Sequence, residues 1–192
     1  MEKQYPYIEW VRYADDGCLN CVSLNQAKYM VKVLDNRFKT FGLELNLDKT
    51  KIVYCKEKGR NLKYDNISFD FLGYTFRPRE AINSRGEIFT GFLPAISNKA
   101  VKAIKKEVRS WKIQHKTSLS IQEIAKLYNG KIQGWINYYS HYCKSEMRYV
   151  LQYINLCLVK WIRHKYKNIR SMKRARNWLK RVGYANKEMF AH

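Results

Sequence analysis

Tyr13-Ala14-Asp15-Asp16 is the stretch that decides how this chain folds. It lies between two short apolar runs, Tyr7-Ile8-Glu9-Trp10-Val11-Arg12 and Cys18-Leu19-Asn20-Cys21-Val22. Two strand-like runs joined by a few turn residues predict a β-hairpin, here with adjacent carboxylates at its tip. Neighbouring carboxylates repel, and a divalent cation held by hard oxygen ligands relieves the repulsion. Such a pair suits the Mg²⁺ ions of two-metal phosphoryl transfer, which stabilise the attacking and leaving oxygens. The same residues also suit an ordinary turn, because Asp and Gly tolerate the backbone angles of a hairpin tip. The hairpin alone leaves both readings open.

Composition narrows the choice. The chain has 192 residues, 46% hydrophobic and 15% aromatic, which predicts a folded protein rather than a disordered one. A formal net charge of +21 exceeds what solubility requires. It predicts a polyanionic partner, nucleic acid first and an anionic membrane surface second. The charge is uneven. Residues 1–93 carry 15 Lys/Arg against 12 Asp/Glu, a net of +3, whereas residues 94–192 carry 22 against 4, a net of +18. The C-terminal half is therefore the expected polyanion binder. Five cysteines with no signal peptide ahead of them predict free thiols in a reducing, intracellular compartment. Cys18-x-x-Cys21 has the spacing of half a zinc site, but no second pair follows it, and its residues lie in a strand pattern. No apolar run reaches the roughly 20 residues needed to span a bilayer. The histidines lack partners at catalytic or ligand spacing and are assigned no role.

Downstream of the hairpin, Ala27, Met30, Val31, Leu34, Phe38 and Phe41 recur at helical spacing, so Leu24 to Phe41 is expected to be a helix. Ser23 or Asn25 would cap it and Gly42 would end it. The alternation Leu43-Glu44-Leu45-Asn46-Leu47 predicts a strand, Asp48-Lys49-Thr50 a turn, and Lys51 to Cys55 a second strand. Lys51 is either a cation near a substrate phosphate or a solvated strand-edge lysine. Ile67 to Phe76 reads as a strand pair broken at Gly73, a glycine that marks close backbone approach by a neighbour. Pro78 is expected to end that pairing, Asn83 to Gly86 to turn, and Pro94 to close a last strand. From Ser97 the periodicity is helical. One stripe holds Val101, Ile104, Val108 and Trp111. A second helix starts near Ser120, with Ile121, Ile124, Ala125, Tyr128, Ile132, Trp135, Ile136 and Tyr139 as its expected buried face, and a third carries Met147 to Ile162. Gly130 and Gly134 inside the second helix suggest close packing of a neighbouring helix. Arg163 to Arg181 holds nine Lys/Arg and no acid, interleaved with apolar residues. This is either a phosphate-binding helix or a solvated tail.

Several motifs stand in one order: Tyr13-Ala14-Asp15-Asp16, Gly42 through Lys51, Phe71-Leu72-Gly73-Tyr74, Gly134-Trp135-Ile136-Asn137-Tyr138-Tyr139, Arg174-Ala175-Arg176-Asn177-Trp178-Leu179 and Phe190-Ala191-His192. Together they closely resemble the C-terminal part of bacterial group II intron-encoded reverse transcriptase/maturases. The resemblance covers nearly all of the chain. It implies an α+β protein: a partial polymerase palm of antiparallel hairpins with one packed helix, followed by an all-helical thumb bundle. Residues 1–79 would be the C-terminal half of the palm and 80–96 a connecting hairpin. Residues 97–166 would be the thumb, or maturase-specific X domain, and 167–192 a basic tail.

The resemblance also implies roles. Asp15 and Asp16 would be metal-binding aspartates for Mg²⁺, with Tyr13 and Ala14 against the primer terminus and incoming nucleotide. Lys51 would contact the nucleotide phosphates, and Phe71-Leu72-Gly73 would be the primer grip. Template-primer and intron RNA would meet Lys102, Lys105, Lys106, Arg109 and Lys112 of the first thumb helix. Arg163, Lys165, Lys167, Arg170, Lys173, Arg174 and Arg176 would extend that surface. The parent activity is RNA-directed DNA synthesis with a role in intron splicing and retrohoming, in the bacterial cytoplasm and without a membrane. One departure stands out. Only twelve residues precede Tyr13, so the fingers and the third metal-binding Asp of the family's palm are expected to be missing. Activity would then need a separate chain that supplies them. The alternative is a non-catalytic RNA-binding protein, or a truncated remnant, that uses only the basic thumb.

Overall fold

The computed structural model describes residues 5–60, 62–186 and 189–190. It is mixed α+β, with two small antiparallel sheets and a helical C-terminal region. By contacts the chain forms two units, Met1–Phe71 with Arg77–Phe92, and Leu72–Phe76 with Leu93–His192.

The first unit opens with the acidic hairpin. Strands β1 (Trp10–Tyr13) and β2 (Asp16–Leu19) pair antiparallel from Trp10↔Leu19 to Tyr13↔Asp16. The turn is therefore Ala14-Asp15, and Tyr13 and Asp16 close it from the strands. Ala14 adopts φ +52°. A positive φ at the first turn residue is the geometry that matches the right-handed twist of the flanking strands. Held by alanine rather than glycine, it costs about 1 kcal/mol. Arg12 Nε donates to the Ala14 carbonyl at 2.9 Å and braces the turn.

Helix α1 (Leu24–Lys39) follows, with Met30 as its buried anchor. Ser23 Oγ accepts the Gln26 N–H and caps its start. At its end Gly42, at φ +69°, donates to Lys39 O, and Leu43 donates to Phe38 O. This paired closure satisfies carbonyls the helix leaves open.

The two strands expected at 43–47 and 51–55 do not form. Leu43 and Leu47 are both exposed, so no sheet face covers the alternate side chains. Asn46 gathers a turn instead. Its side chain accepts the Lys49 N–H, and its carbonyl accepts the Thr50 N–H and hydroxyl. An Asn that binds its own backbone competes directly with a sheet ladder.

A second sheet has the order β3-β4-β5, with β3 at Phe69–Phe71, β4 at Tyr74–Ile82 and β5 at Ile88–Ile96. The expected break at Gly73 is a two-residue turn, Leu72-Gly73, with φ of +50° and +79°. Asn83 shapes the other turn, its Oδ1 accepting the N–H groups of Arg85 and Glu87. Two proline expectations are corrected. Pro78 lies inside β4 rather than ending it, and Pro94 lies inside β5. A proline is tolerated where its missing N–H faces a sheet edge, and β3 is too short to flank the whole of β4.

Helices α2 (Asn98–Ser110), α3 (Ile121–Tyr139), α4 (Lys144–Lys165) and α5 (Met172–Ala185) build the second unit, with a 3-10 turn at Ile113–His115. Ser97 Oγ caps α2 through the Ala100 N–H. Ser120 and Glu123 form a reciprocal capping box on α3. The core gathers on α4, where Met147, Val150, Ile154, Leu158, Trp161 and Ile162 are buried. Ile104 and Val108 of α2, Ile121, Ile124 and Ile132 of α3, and Ala175 of α5 meet them. Trp161 is fully buried, and its indole N–H donates to Lys116 O at 2.8 Å. Trp111 stacks on Tyr128 with ring centres 4.3 Å apart and also on Trp135. These aromatics pack against the core as the periodicity predicts.

Gly130 and Gly134 are a further correction. A methyl group added at either would meet nothing within 4 Å, so no neighbouring helix packs on them. The basic C-terminal run is helical. α5 lays Met172, Ala175, Trp178, Leu179 and Val182 on the core. Among the described residues no helix is long and apolar enough to cross a membrane.

Ser120→Ala removes the cap of α3 and is expected to cost about 1 kcal/mol, read as a lower urea midpoint. The Ser120 backbone and hydroxyl hold the Glu123 carboxyl below its usual range. Because that carboxyl is depressed in the folded state, its contribution is present at neutral pH and above the ordinary value of about 4.3. It is lost as pH falls through the lowered folded value. An unchanged midpoint for Ser120→Ala at neutral pH would show that the capping box contributes nothing.

Candidate functional site

In the first unit, the site is built on the β1–β2 hairpin. Asp15 occupies the turn and Asp16 the first position of β2, and both are exposed. Tyr13, on the strand before them, is 63% exposed. Asp16 and Cys18 are two apart on one strand and share a face. Burial first, and the Asp16 carboxylate second, push the Cys18 thiol up. Burial does the same to Cys21.

Carboxylate oxygens are the right donors for Mg²⁺, which demands octahedral oxygen coordination. Yet among the described residues no group of three or more His, Cys, Asp or Glu gathers closely enough to hold a metal. Asp15 and Asp16 thus have suitable chemistry but do not by themselves complete a site. Lys51 is exposed just beyond the Asn46–Thr50 turn, and among the described residues it forms no ion pair with either aspartate.

In the second unit, the Leu72-Gly73 turn is held at several points. Tyr138 Oη donates to Leu72 O at 2.9 Å, and the Ser97 N–H donates to Gly73 O at 2.9 Å. Tyr74 Oη donates to Tyr138 O. A Cβ at Gly73 would lie 2.9 Å from the Tyr139 hydroxyl. The close approach expected at this glycine is therefore real, and the neighbour is a tyrosine of α3. Tyr74 has ring centres 5.3 Å from Tyr138, 5.5 Å from Tyr139 and 5.7 Å from Tyr142. Burial pushes the phenols of Tyr74 and Tyr139 up, which keeps them protonated and able to donate. Sequence reasoning placed Tyr139 on a buried face and missed Tyr138 and Tyr142. The signal was present, because two adjacent tyrosines on a helix cannot both face one core.

The basic residues divide into committed and free groups. Lys165 Nζ donates to Thr117 O and Leu119 O, both at 2.8 Å. Arg163 Nε donates to Arg170 O at 2.6 Å, and Arg170 Nε to Lys167 O at 3.2 Å. These three arginine and lysine side chains shape the ends and links of helices. Arg109 is raised by its hydrogen bond with Tyr153, over whose ring Lys105 Nζ also sits at 5.8 Å. Lys102, Lys106, Lys112, Lys167, Lys173, Arg174 and Arg176 are exposed. The expected RNA contacts stop at Arg176; Asn177, Lys180, Arg181 and Tyr184 lie beyond them, Lys180 and Arg181 within the basic run already read as a phosphate-binding helix or a solvated tail. With Ile169 and Arg174 they line an open groove of about 680 Å³ on α5. Helical spacing along the outward face of α5 was the signal that could have found them.

Residues 1–76 match the family model for reverse transcriptase (RNA-dependent DNA polymerase). Residues 101–182 match the one for the group II intron, maturase-specific domain. A search of curated proteins finds no match. A reverse transcriptase stretch followed by a maturase-specific stretch defines the class: a reverse transcriptase joined to a group II intron maturase domain. The chain belongs to the group II intron-encoded reverse transcriptase/maturases.

Gly73→Ala adds a methyl against Tyr139 at a positive φ and is expected to destabilise the second unit by about 1–3 kcal/mol. Tyr139→Phe removes the nearest atom, so the same change in that background should cost less. A double-mutant cycle in urea reads the difference. Strict additivity of the two changes would show that the close approach carries no energy.

Proposed function

We propose that this chain is the catalytic-hairpin and thumb portion of an RNA-directed DNA polymerase that also assists splicing and retrohoming of its intron RNA. The observation that carries this reading is the exposed Asp15-Asp16 pair at the tip of the hairpin, Asp15 in its two-residue turn and Asp16 closing it, inside the stretch that matches the reverse transcriptase family. In this reading Asp15 and Asp16 provide part of a Mg²⁺ site. When bound, the metal supplies charge stabilisation for phosphoryl transfer. Tyr13 and Ala14 border the primer terminus and incoming nucleotide, and Lys51 meets the nucleotide phosphates. Phe71, Leu72 and Gly73 grip the primer. The free lysines and arginines of α2 and α5 hold template-primer and intron RNA in the cytoplasm.

The pair needs a further carboxylate to hold metal in productive geometry. We assign that group to fingers and upstream palm, whether supplied in the same polypeptide or by a separate chain. A second reading, RNA binding without catalysis, draws on the same shortage of carboxylates among the described residues and on the +18 charge of residues 94–192.

Primer extension on poly(rA)/oligo(dT) with Mg²⁺ is expected to fail with this chain alone and to appear when fingers and upstream palm are added. Asp15→Asn or Asp16→Asn should abolish the restored synthesis. Robust synthesis by the chain alone would sink the claim that a further carboxylate is essential. No synthesis in the complemented sample would leave the RNA-binding reading. RNA affinity should fall steeply with salt through counterion release. Binding indifferent to salt contradicts both readings.

A further inference from the structure

The groove on α5 combines features that a duplex-binding basic face does not need. Arg174, Asn177, Lys180, Arg181 and Tyr184 share the outward side of one helix, with Ile169 from the preceding link completing the groove. Residues three, four and seven apart on a helix are neighbours, so the cations, the amide and the ring face the same space. Among the described residues none of these five side chains is engaged in a hydrogen bond, ion pair or ring contact. This sets them apart from Arg163, Lys165 and Arg170, which are spent on backbone carbonyls. Tyr184 is 78% exposed, unlike Trp178 on the same helix, whose ring lies 5.3 Å from Tyr166 against the core.

An exposed aromatic ring beside unpaired cations matches the demands of unpaired nucleotides. Every base offers a π-face for stacking, and the strand's phosphates need positive charge alongside. A closed duplex buries its base faces and offers phosphates, ribose hydroxyls and groove edges instead, so Tyr184 would have no base face to stack on there. Asn177, between the cations, offers a donor and an acceptor to a base edge or a ribose hydroxyl.

We propose that this groove binds single-stranded RNA, with a base stacked on Tyr184 and the flanking phosphates on Arg174, Lys180 and Arg181. The inference rests on the RNA-binding reading above and names a ligand class for one part of that surface.

The test uses the full chain with two probes: a short oligoadenylate carrying one fluorescent 2-aminopurine, and a duplex RNA of the same length. The wild type is expected to quench the 2-aminopurine. Tyr184→Ala should weaken single-strand binding about ten-fold and leave duplex binding unchanged, while Tyr184→Phe should retain both. Replacing Arg174, Lys180 and Arg181 together by alanine should reduce the slope of log affinity against log salt for the single strand by about 2. Because these side chains are exposed, the variants should melt with the wild type, and melting curves check this. Equal weakening of both probes by Tyr184→Ala, or of neither, overturns the inference while leaving the RNA-binding reading intact. A wild-type chain that binds no RNA at low salt overturns that reading itself.

Discussion

Trp161 is the fixed point of the helical unit. Its side chain is fully buried on α4, and its single polar atom is spent on Lys116 O. A buried indole is favourable only if its N–H finds a partner, since an unsatisfied donor in the core costs about 1–3 kcal/mol. That requirement ties the C-terminal end of α4 to the link between α2 and α3. One turn later Lys165 reaches Thr117 O and Leu119 O in the same link. The ordering of this link in turn places Ser120, whose capping box starts α3. Core, connector and helix start therefore depend on one another through α4. The tyrosines at the far end of α3 inherit their position from that arrangement.

The helices were legible in sequence because their signals are local and agree. Apolar spacing of three and four, Ser97 and Ser120 at cap positions, and Gly42 beyond α1 each act within a few residues. The acidic hairpin was legible for the same reason, although its turn is Ala14-Asp15 rather than the whole quoted stretch. What escaped was everything decided by a neighbour. The alternation at Leu43–Leu47 is a strand pattern, but alternation needs a covered face, and Asn46 offered the backbone a competing turn. Pro78 and Pro94 stop a strand only if their missing N–H faces another strand. Gly130 and Gly134 suggested packing, and the structure leaves them open to solvent. In the site, the carboxylate pair and Gly73 could be singled out by residue type. The hold of Tyr138 and Tyr139 on the Leu72-Gly73 turn could not, because it links residues more than sixty positions apart.

A net charge counts every cation equally, and the structure does not. Lys165, Arg163 and Arg170 direct their donors at backbone carbonyls, where cations also favour helix C-terminal ends. Lys131 is paired with Glu107. The positive field of residues 94–192 thus has a structural part and a part that no carbonyl or carboxylate among the described residues engages. The second part concentrates on the outward faces of α2 and α5.

The segment Leu72–Phe76 belongs by contacts to the helical unit, yet in sequence it closes the stretch that matches the reverse transcriptase family. The boundary of ancestry and the boundary of folding do not coincide. An exchange of gene segments at the seam between the two family matches would carry Tyr74 away from Tyr138 and leave a helix end without its strand. Inheritance of the two matched stretches as one block keeps that strand with its helix. The helical unit is not a freely portable module, because five of its residues are encoded on the other side of the seam.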